Sequence, residues 1–301
     1  MDQPTGTRMK ILDAMQQVMG PLPKSPTSAP RITGRMATVD LGYCVRHKIA
    51  YEPEVGDEVP AYLFVPHSTK PLAAVLCLHQ TMRMGKGHPA GLDGSPVNLR
   101  YALELAQRGF VTLVPDYPNF GDYTFDPYTH GYLSATMKGI LNHKRAVDFL
   151  QSLPEVNPRQ IGVIGHSLGG HNSLFVAAFD PRIRAVVTSC GFTSFHKYMG
   201  GDLTGWSHKG YMPRIASAYG KSAQRMPFEF WDILTAIAPR PIFINAPLRD
   251  ANFDATGVDD CVARVLDSTG RITVRHPDCE HDFPPAIRFE SYEFLSKSVR
   301  L

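Results

Sequence analysis

Residues 160–172 read QIGVIGHSLGGHN, and no other stretch restricts the fold of this chain as strongly. Ile161, Val163 and Ile164 form a short apolar run rich in β-branched side chains, as a buried strand requires. Gly165-His166-Ser167-Leu168-Gly169 follows and satisfies G-x-S-x-G, and the residues after it, through Leu174, Phe175, Val176, Ala177 and Ala178, read as a helix. Strand, tight turn and helix in that order let a serine nucleophile project from the carboxyl edge of a sheet. Gly165 and Gly169 leave room for strand and helix to approach where a Cβ would clash, and Gly170 extends that small surface. The Leu168 amide is expected at the N-terminus of the helix, facing the negative charge that develops on a reacting carbonyl.

The rest of the chain supplies the sheet that such a turn needs. Residues 73–78 are a continuous apolar run, as expected of a strand buried on both faces. Residues 111–115, 185–188, 242–246 and 272–275 read as further strands, and helices are expected over about 98–108, 134–153 and 285–299. Strands alternating with helices predict an α/β fold with a doubly wound, mostly parallel sheet. Ligands then sit outside the carboxyl ends of the strands. Ahead of this region, residues 35–51 and 58–65 alternate like an antiparallel edge pair that turns at Glu54-Val55-Gly56-Asp57. An amphipathic helix is predicted over residues 7–19, with Met9, Ile11, Leu12, Met15 and Val18 on one side and Gly20-Pro21-Leu22-Pro23 as its stop. The expected organisation is therefore an N-terminal helix, linker and edge strands over 1–60, and a main domain over 61–301. A cap-like insertion, dense in aromatic side chains, occupies about 191–233.

Composition excludes several function classes. With 43% hydrophobic and 20% charged residues, 301 residues can bury one large core. A net charge of +3 with dispersed Lys and Arg argues against nucleic acid as a partner. There is no run of eighteen or so apolar residues, so no membrane span is expected. The start, MDQPTGTRMKILDAMQQVMG, has no apolar signal core, which predicts a cytoplasmic protein, or an exported one whose leader has been removed. Cys44, Cys77, Cys190, Cys261 and Cys279 are scattered and contain no C-x-x-C pair, and no H-E-x-x-H is present. Neither a disulfide framework nor a metal site is indicated, and no cofactor is expected.

A serine hydroxyl is a poor nucleophile and needs a base within reach, held by an acid. In strand–turn–helix serine sites the acid and the histidine follow in that order, at the ends of later strands. Asp250 lies in the loop after the 242–246 strand, with Asp254 as competitor. His281 lies on the loop between the last strand and the closing helix, with His276 as the decoy at the strand's end. Placement favours Asp250 and His281. The second oxyanion amide is expected just after the 73–78 strand, at Thr81 or next at Gln80, beside that of Leu168. His166 is expected to pack beside the turn and His171 to be structural. Aromatic side chains of the 116–132 loop, Tyr117 and Tyr123 among them, and Trp206 of the insertion are candidate substrate contacts.

The segments LCLHQT, GHSLGG, NAPLRD and EHDF, in this order, resemble the α/β-hydrolase superfamily. Within it the chain is similar to dienelactone hydrolase-like and acetyl xylan esterase-like serine esterases, over about residues 61–301. The resemblance implies a Ser167-His281-Asp250 triad and cleavage of a small carboxylic ester, of short-chain or sugar type, through an acyl-enzyme. Three departures narrow this. Ser167 stands where dienelactone hydrolases proper have cysteine, and Gln80 stands where Gly usually follows His. The 301 residues leave no room for the propeller of prolyl oligopeptidases. An amide or peptide hydrolase, or a non-catalytic binding module of the same fold, is the alternative, and dimerisation is left open.

Overall fold

The strand β4 (Leu72–Leu78) sorts its side chains to two sides. Ala74, Leu76 and Leu78 join one apolar cluster, while Ala73, Val75 and Cys77 join another. This two-residue period means that both faces of the strand are covered. β5 (Val111–Pro115), β6 (Val156–His166), β7 (Ala185–Ser189) and β8 (Ile242–Asn245) divide in the same way, with Ile242 and Ile244 on one side and Phe243 on the other. The computed structural model describes residues 5–24, 26–265 and 271–300; the first four residues of the stretch read for a signal core lie outside these.

Nine strands among the described residues form one sheet, ordered β1-β2-β3-β5-β4-β6-β7-β8-β9. β1 (Ile32–Asp40), β2 (Cys44–Tyr51) and β3 (Val59–Pro66) are antiparallel at one edge, and β3 pairs antiparallel with β5. From β5 through β4, β6, β7 and β8 to β9 (Ile272–Arg275) the pairing is parallel. One face carries α3 (Ala135–Ser152) and α4 (Leu168–Phe179), and the other carries α2 (Tyr101–Gln107) and α8 (Pro285–Val299). The chain steps from β4 outward to β5 and then back past β4 to β6. The sequence order reverses there, which places a ligand crevice at the carboxyl ends of β4 and β6. Among the described residues, no helix is long and apolar enough to cross a membrane.

Two local expectations change. The 35–51 segment is two strands, because Gly42 turns the chain at φ 85°, with its amide on Asp40 Oδ1 at 2.8 Å. The alternation continues across that turn and hides it. The N-terminal helix α1 (Thr5–Met19) buries Ile11, Met15 and Val18, but Met9 is 58% exposed. The aromatic insertion packs onto the main domain. Phe192, Phe195, Leu203, Trp206, Met212 and Phe228 join the same apolar cluster as α4, together with α5 (Arg214–Ser217) through Ile215 and α6 (Phe230–Ile237) through Phe230.

Lys138 of α3 is fully buried and pins the β2–β3 turn to this core. Its Nζ donates to Asp57 at 2.6 Å and to Glu54, and lies 4.5 Å from the centre of the Phe125 ring. Removing one partner of a buried ion pair leaves the other charge uncompensated, at a cost of about 3–5 kcal/mol. Lys138→Met is therefore expected to lower unfolding free energy by about that amount. Urea titration measures it, and an unchanged midpoint would contradict the assignment.

Candidate active site

The β6–α4 junction carries Ser167. β6 is held between β4 and β7, with Gly165 opposite Leu78 and His166 opposite Ser189. Ser167 then turns sharply, at φ 55° and ψ −121°, and its amide donates to Ser189 O at 2.8 Å. Positive φ is rare for a residue with a Cβ, and it persists only where the surroundings enforce it. Here the close approach of α4 enforces it. A Cβ on Gly165 would lie 2.2 Å from the Gly169 carbonyl, and one on Gly169 would lie 1.9 Å from Leu78 O. Both obstacles are backbone and cannot rotate aside. Overpacking a tight core typically costs about 1–3 kcal/mol, and a backbone clash belongs at the upper end. Thermal unfolding of Gly169→Ala is expected to show that loss, while a wild-type melting temperature would mean that the helix can move away freely.

Asp250 and His281 meet from two later loops. Asp250 follows β8, and His281 lies between β9 and α8. His281 Nδ1–H donates to Asp250 Oδ2 at 2.8 Å. The other carboxylate oxygen accepts the amides of Asn252 at 2.8 Å and Phe253 at 3.2 Å. Burial opposes ionisation of Asp250, but the His281 contact and these two amides outweigh it and hold the carboxyl below its ordinary range. With Nδ1 protonated, His281 Nε2 is free to accept a proton. The competing residues are engaged elsewhere. Asp254 caps α7 (Ala255–Ala263), accepting the Thr256 amide at 2.8 Å. His276 bonds Ala246 O at 2.7 Å and Asp259 at 3.0 Å.

Ser167 and His281 share one cleft of about 430 Å³, with Gln80 and Thr81 on its wall. His166 packs behind, its ring 4.9 Å from that of His281 and its Nδ1 2.9 Å from Ser189 Oγ. Burial lowers its pKa to about 3, so it is neutral. His171 is sealed between Phe175 and Trp206 and is likewise pushed to about 3 by burial.

His79 orders the loop after β4. Its Nδ1–H donates to Gln80 O at 2.7 Å, and its Nε2 accepts the Tyr117 amide at 2.9 Å. Gln80 O also accepts the Met82 amide at 2.9 Å. In a planar trans peptide the N–H opposes the C=O, so the Thr81 N–H points away from His79. Asp116, at the end of β5, steadies the same loop through the Lys86 amide at 2.8 Å and the buried Lys86 ammonium.

None of the three aromatic residues expected in the pocket lines the cleft. Tyr117 is 1% exposed, with its hydroxyl on Gly210 O and its ring beside Leu168. Tyr123 gives its hydroxyl to Asp57, deep in the Lys138 cluster. Trp206 stacks behind the wall on His171, with the Tyr198 and Phe253 rings tilted against it. Tyr198, Asn252, Phe253, Met82, His88 and Leu99 line the cleft instead. Asn252 and Phe253 follow Asp250 on the same strand-end loop, a placement legible in the sequence. Cys190, Asp250 and His281 bring metal-ligand atoms within 4.8 Å of one another, and burial pushes the Cys190 thiol well up.

The model of the alpha/beta hydrolase family matches residues 75–289. A Bacillus subtilis (strain 168) protein named as a hydrolase, YtaP, is 28% identical over 271 residues, covering 80% of this chain and 84% of that one. Two solved structures share the fold at low identity. A glucuronoyl esterase from Solibacter usitatus has a TM-score of 0.74 at 16% identity, covering 98% of this chain and 92% of that one. An acetyl xylan esterase from Paenibacillus sp. R4 has a TM-score of 0.70 at 16% identity, covering 99% and 96%. With the sheet order, the elbow at Ser167 and a family match over more than half of its length, this chain belongs to the alpha/beta hydrolase family.

Proposed function

We propose that this protein is a serine esterase that hydrolyses small carboxylic esters. The observation that carries the proposal is a strained Ser167 in one cleft with a histidine whose Nδ1–H is fixed on a buried carboxylate at 2.8 Å. That tautomer leaves His281 Nε2 to take the Ser167 proton as the hydroxyl attacks the ester carbonyl. Asp250 orients the ring and stabilises the imidazolium. The Leu168 amide is free to bind the oxyanion because first-turn amides of a helix have no intrahelical acceptor. The Thr81 amide is the second donor, turned away from His79 by the bonds on Gln80 O. His281 then protonates the departing alcohol, and water repeats the sequence on the acyl-enzyme. Fold neighbours named as esterases support the choice of ester over amide.

The test combines labelling with turnover. A fluorophosphonate probe is expected to attach to Ser167, read by peptide mass, and a p-nitrophenyl ester series from acetate to octanoate is expected to be hydrolysed. Labelling elsewhere, or turnover by an unlabelled protein, would overturn the proposal.

A further inference from the structure

The last residues of three neighbouring strands form a polar row across the carboxyl edge of the sheet. His166 of β6 stands opposite Ser189 of β7, and Ser189 stands opposite Asn245 of β8. Each is at most 3% exposed. Two residues back along the same three strands, on the same side of the sheet, are Ile164, Val187 and Phe243, all in one apolar cluster. The change from apolar to polar comes at the level of Ser167. Asn245 Nδ2 donates to Ser189 Oγ at 2.8 Å. Ser189 then has its own proton to give, and His166 Nδ1 at 2.9 Å is a nearer acceptor than Cys190 Sγ at 3.9 Å. The row of hydrogen bonds therefore runs from Asn245 through Ser189 to the neutral His166 ring.

This row is joined to both Ser167 and His281. The Ser167 amide donates to Ser189 O at 2.8 Å, so the elbow hangs on the middle residue. Asn245 Nδ2 also donates to Asp282 O at 2.9 Å, the carbonyl of the residue after His281. The Cys190 thiol, which burial keeps protonated, donates to the same carbonyl at 3.4 Å. Asp282 N–H closes a three-residue turn on Glu280 O at 2.7 Å, with His281 at its centre. Holding that one carbonyl therefore holds the turn that carries the imidazole. Packing alone does not call for an asparagine here. Asn245 Oδ1 is a buried acceptor with no partner among the described residues, a loss of stability that an apolar side chain of similar shape would not carry.

We propose that Asn245, through Ser189 and the Asp282 carbonyl, is a positioning residue that fixes the His281 imidazole relative to Ser167. The elbow and the histidine turn are then set by one rigid sheet edge rather than by two independent loops. What the alignment serves rests on the serine-esterase reading, whereas the alignment itself can be read without turnover.

The test uses Asn245→Leu, Ser189→Ala and the double variant, with thermal unfolding to give the folded fraction of each. A displacement of about 1 Å between reacting groups can cost about 100-fold in rate. Asn245→Leu is expected to lower kcat on p-nitrophenyl acetate by about 10- to 100-fold, with KM within about 2-fold of wild type. Ser189→Ala, which leaves Asp282 O on Asn245, is expected to lose about 3- to 10-fold, and the double variant no more than Asn245→Leu alone, because the two side chains form one row. Where Asn245→Leu does not fold, Ser189→Ala decides by the same measures. Proton NMR needs no turnover: the His281 Nδ1–H signal, held on Asp250 in wild type, is expected to broaden by exchange with water in both single variants. Wild-type kcat in the folded variants, multiplicative losses in the double variant, or losses that vanish once rates are scaled to the folded fraction would overturn the positioning role and leave the esterase reading standing. An unchanged Nδ1–H signal would overturn it as well. Wild-type turnover by Ser167→Ala would remove the esterase reading instead, and a signal broadened by Asn245→Leu would then keep the positioning role.

Discussion

Ser167→Ala is expected to lower kcat on a p-nitrophenyl ester by about 10⁴- to 10⁶-fold, and His281→Ala by a comparable factor. In the proposed serine-esterase mechanism the two groups act as one unit. Without the hydroxyl there is nothing for the base to activate, and without the base the hydroxyl stays protonated. The double variant is therefore expected to be hardly worse than either single one, far from the product of the two losses. A residual rate above that of water is expected to survive, because the Leu168 and Thr81 amides and the cleft are untouched. KM should move little, since neither side chain is needed to hold the ground state. Steady-state kinetics on wild type, both single variants and the double variant measure all of this. Multiplicative losses would mean that Ser167 and His281 serve different steps. Unchanged turnover in either single variant would sink the mechanism.

Much of this candidate site is legible along the chain because a strand–turn–helix elbow is local. Its strand, its small residues and its helix are contiguous in 160–178, so period and residue size suffice to find it. Strand-end loops are nearly as legible. β5, β9 and α8 span the residues expected of them, since apolar runs bounded by turns or prolines leave little choice of register. Side-chain direction is different. Tyr117 and Tyr123 sit on a loop at a strand end, as pocket residues should, yet each hydroxyl finds a buried acceptor in another segment, Gly210 O and Asp57. Those partners are 93 and 66 residues away, and nothing in the local pattern announces them. Gln80 shows the converse. Its place after His79 marks it as a departure from the usual glycine, but its pairing with His88 depends on how the 79–97 loop folds back on itself. Asp254 competes with Asp250 by spacing, and its carboxylate is instead the cap of α7.

Asp250→Asn is expected to lower kcat by about 10⁴-fold while leaving the fold intact, and the reason lies in which oxygen does what. Oδ1 is held by two backbone amides, those of Asn252 and Phe253, whereas Oδ2 alone meets His281. An asparagine at 250 must keep its carbonyl oxygen on the two amides, because turning the side chain over would set its NH₂ against both donors. The NH₂ group then faces His281 Nδ1 and donates to it. That forces the proton onto Nε2, the atom that should receive the proton of Ser167. The ring is still in place and still hydrogen-bonded, but in the wrong tautomer. Nitrogen chemical shifts of His281 are expected to show protonation moving from Nδ1 to Nε2, together with the loss of kcat. The pH dependence of stability gives a second check. The carboxyl of Asp250 is held below its ordinary range, so its contribution to folding is complete above the unfolded carboxylate pKa and is lost as pH falls through the lower, folded value. Asparagine does not titrate, so the variant is expected to lose less stability than wild type between neutral and acidic pH, as read from urea midpoints. A variant that kept the Nδ1–H tautomer, or kept wild-type turnover, would show that Asp250 does not set the state of His281.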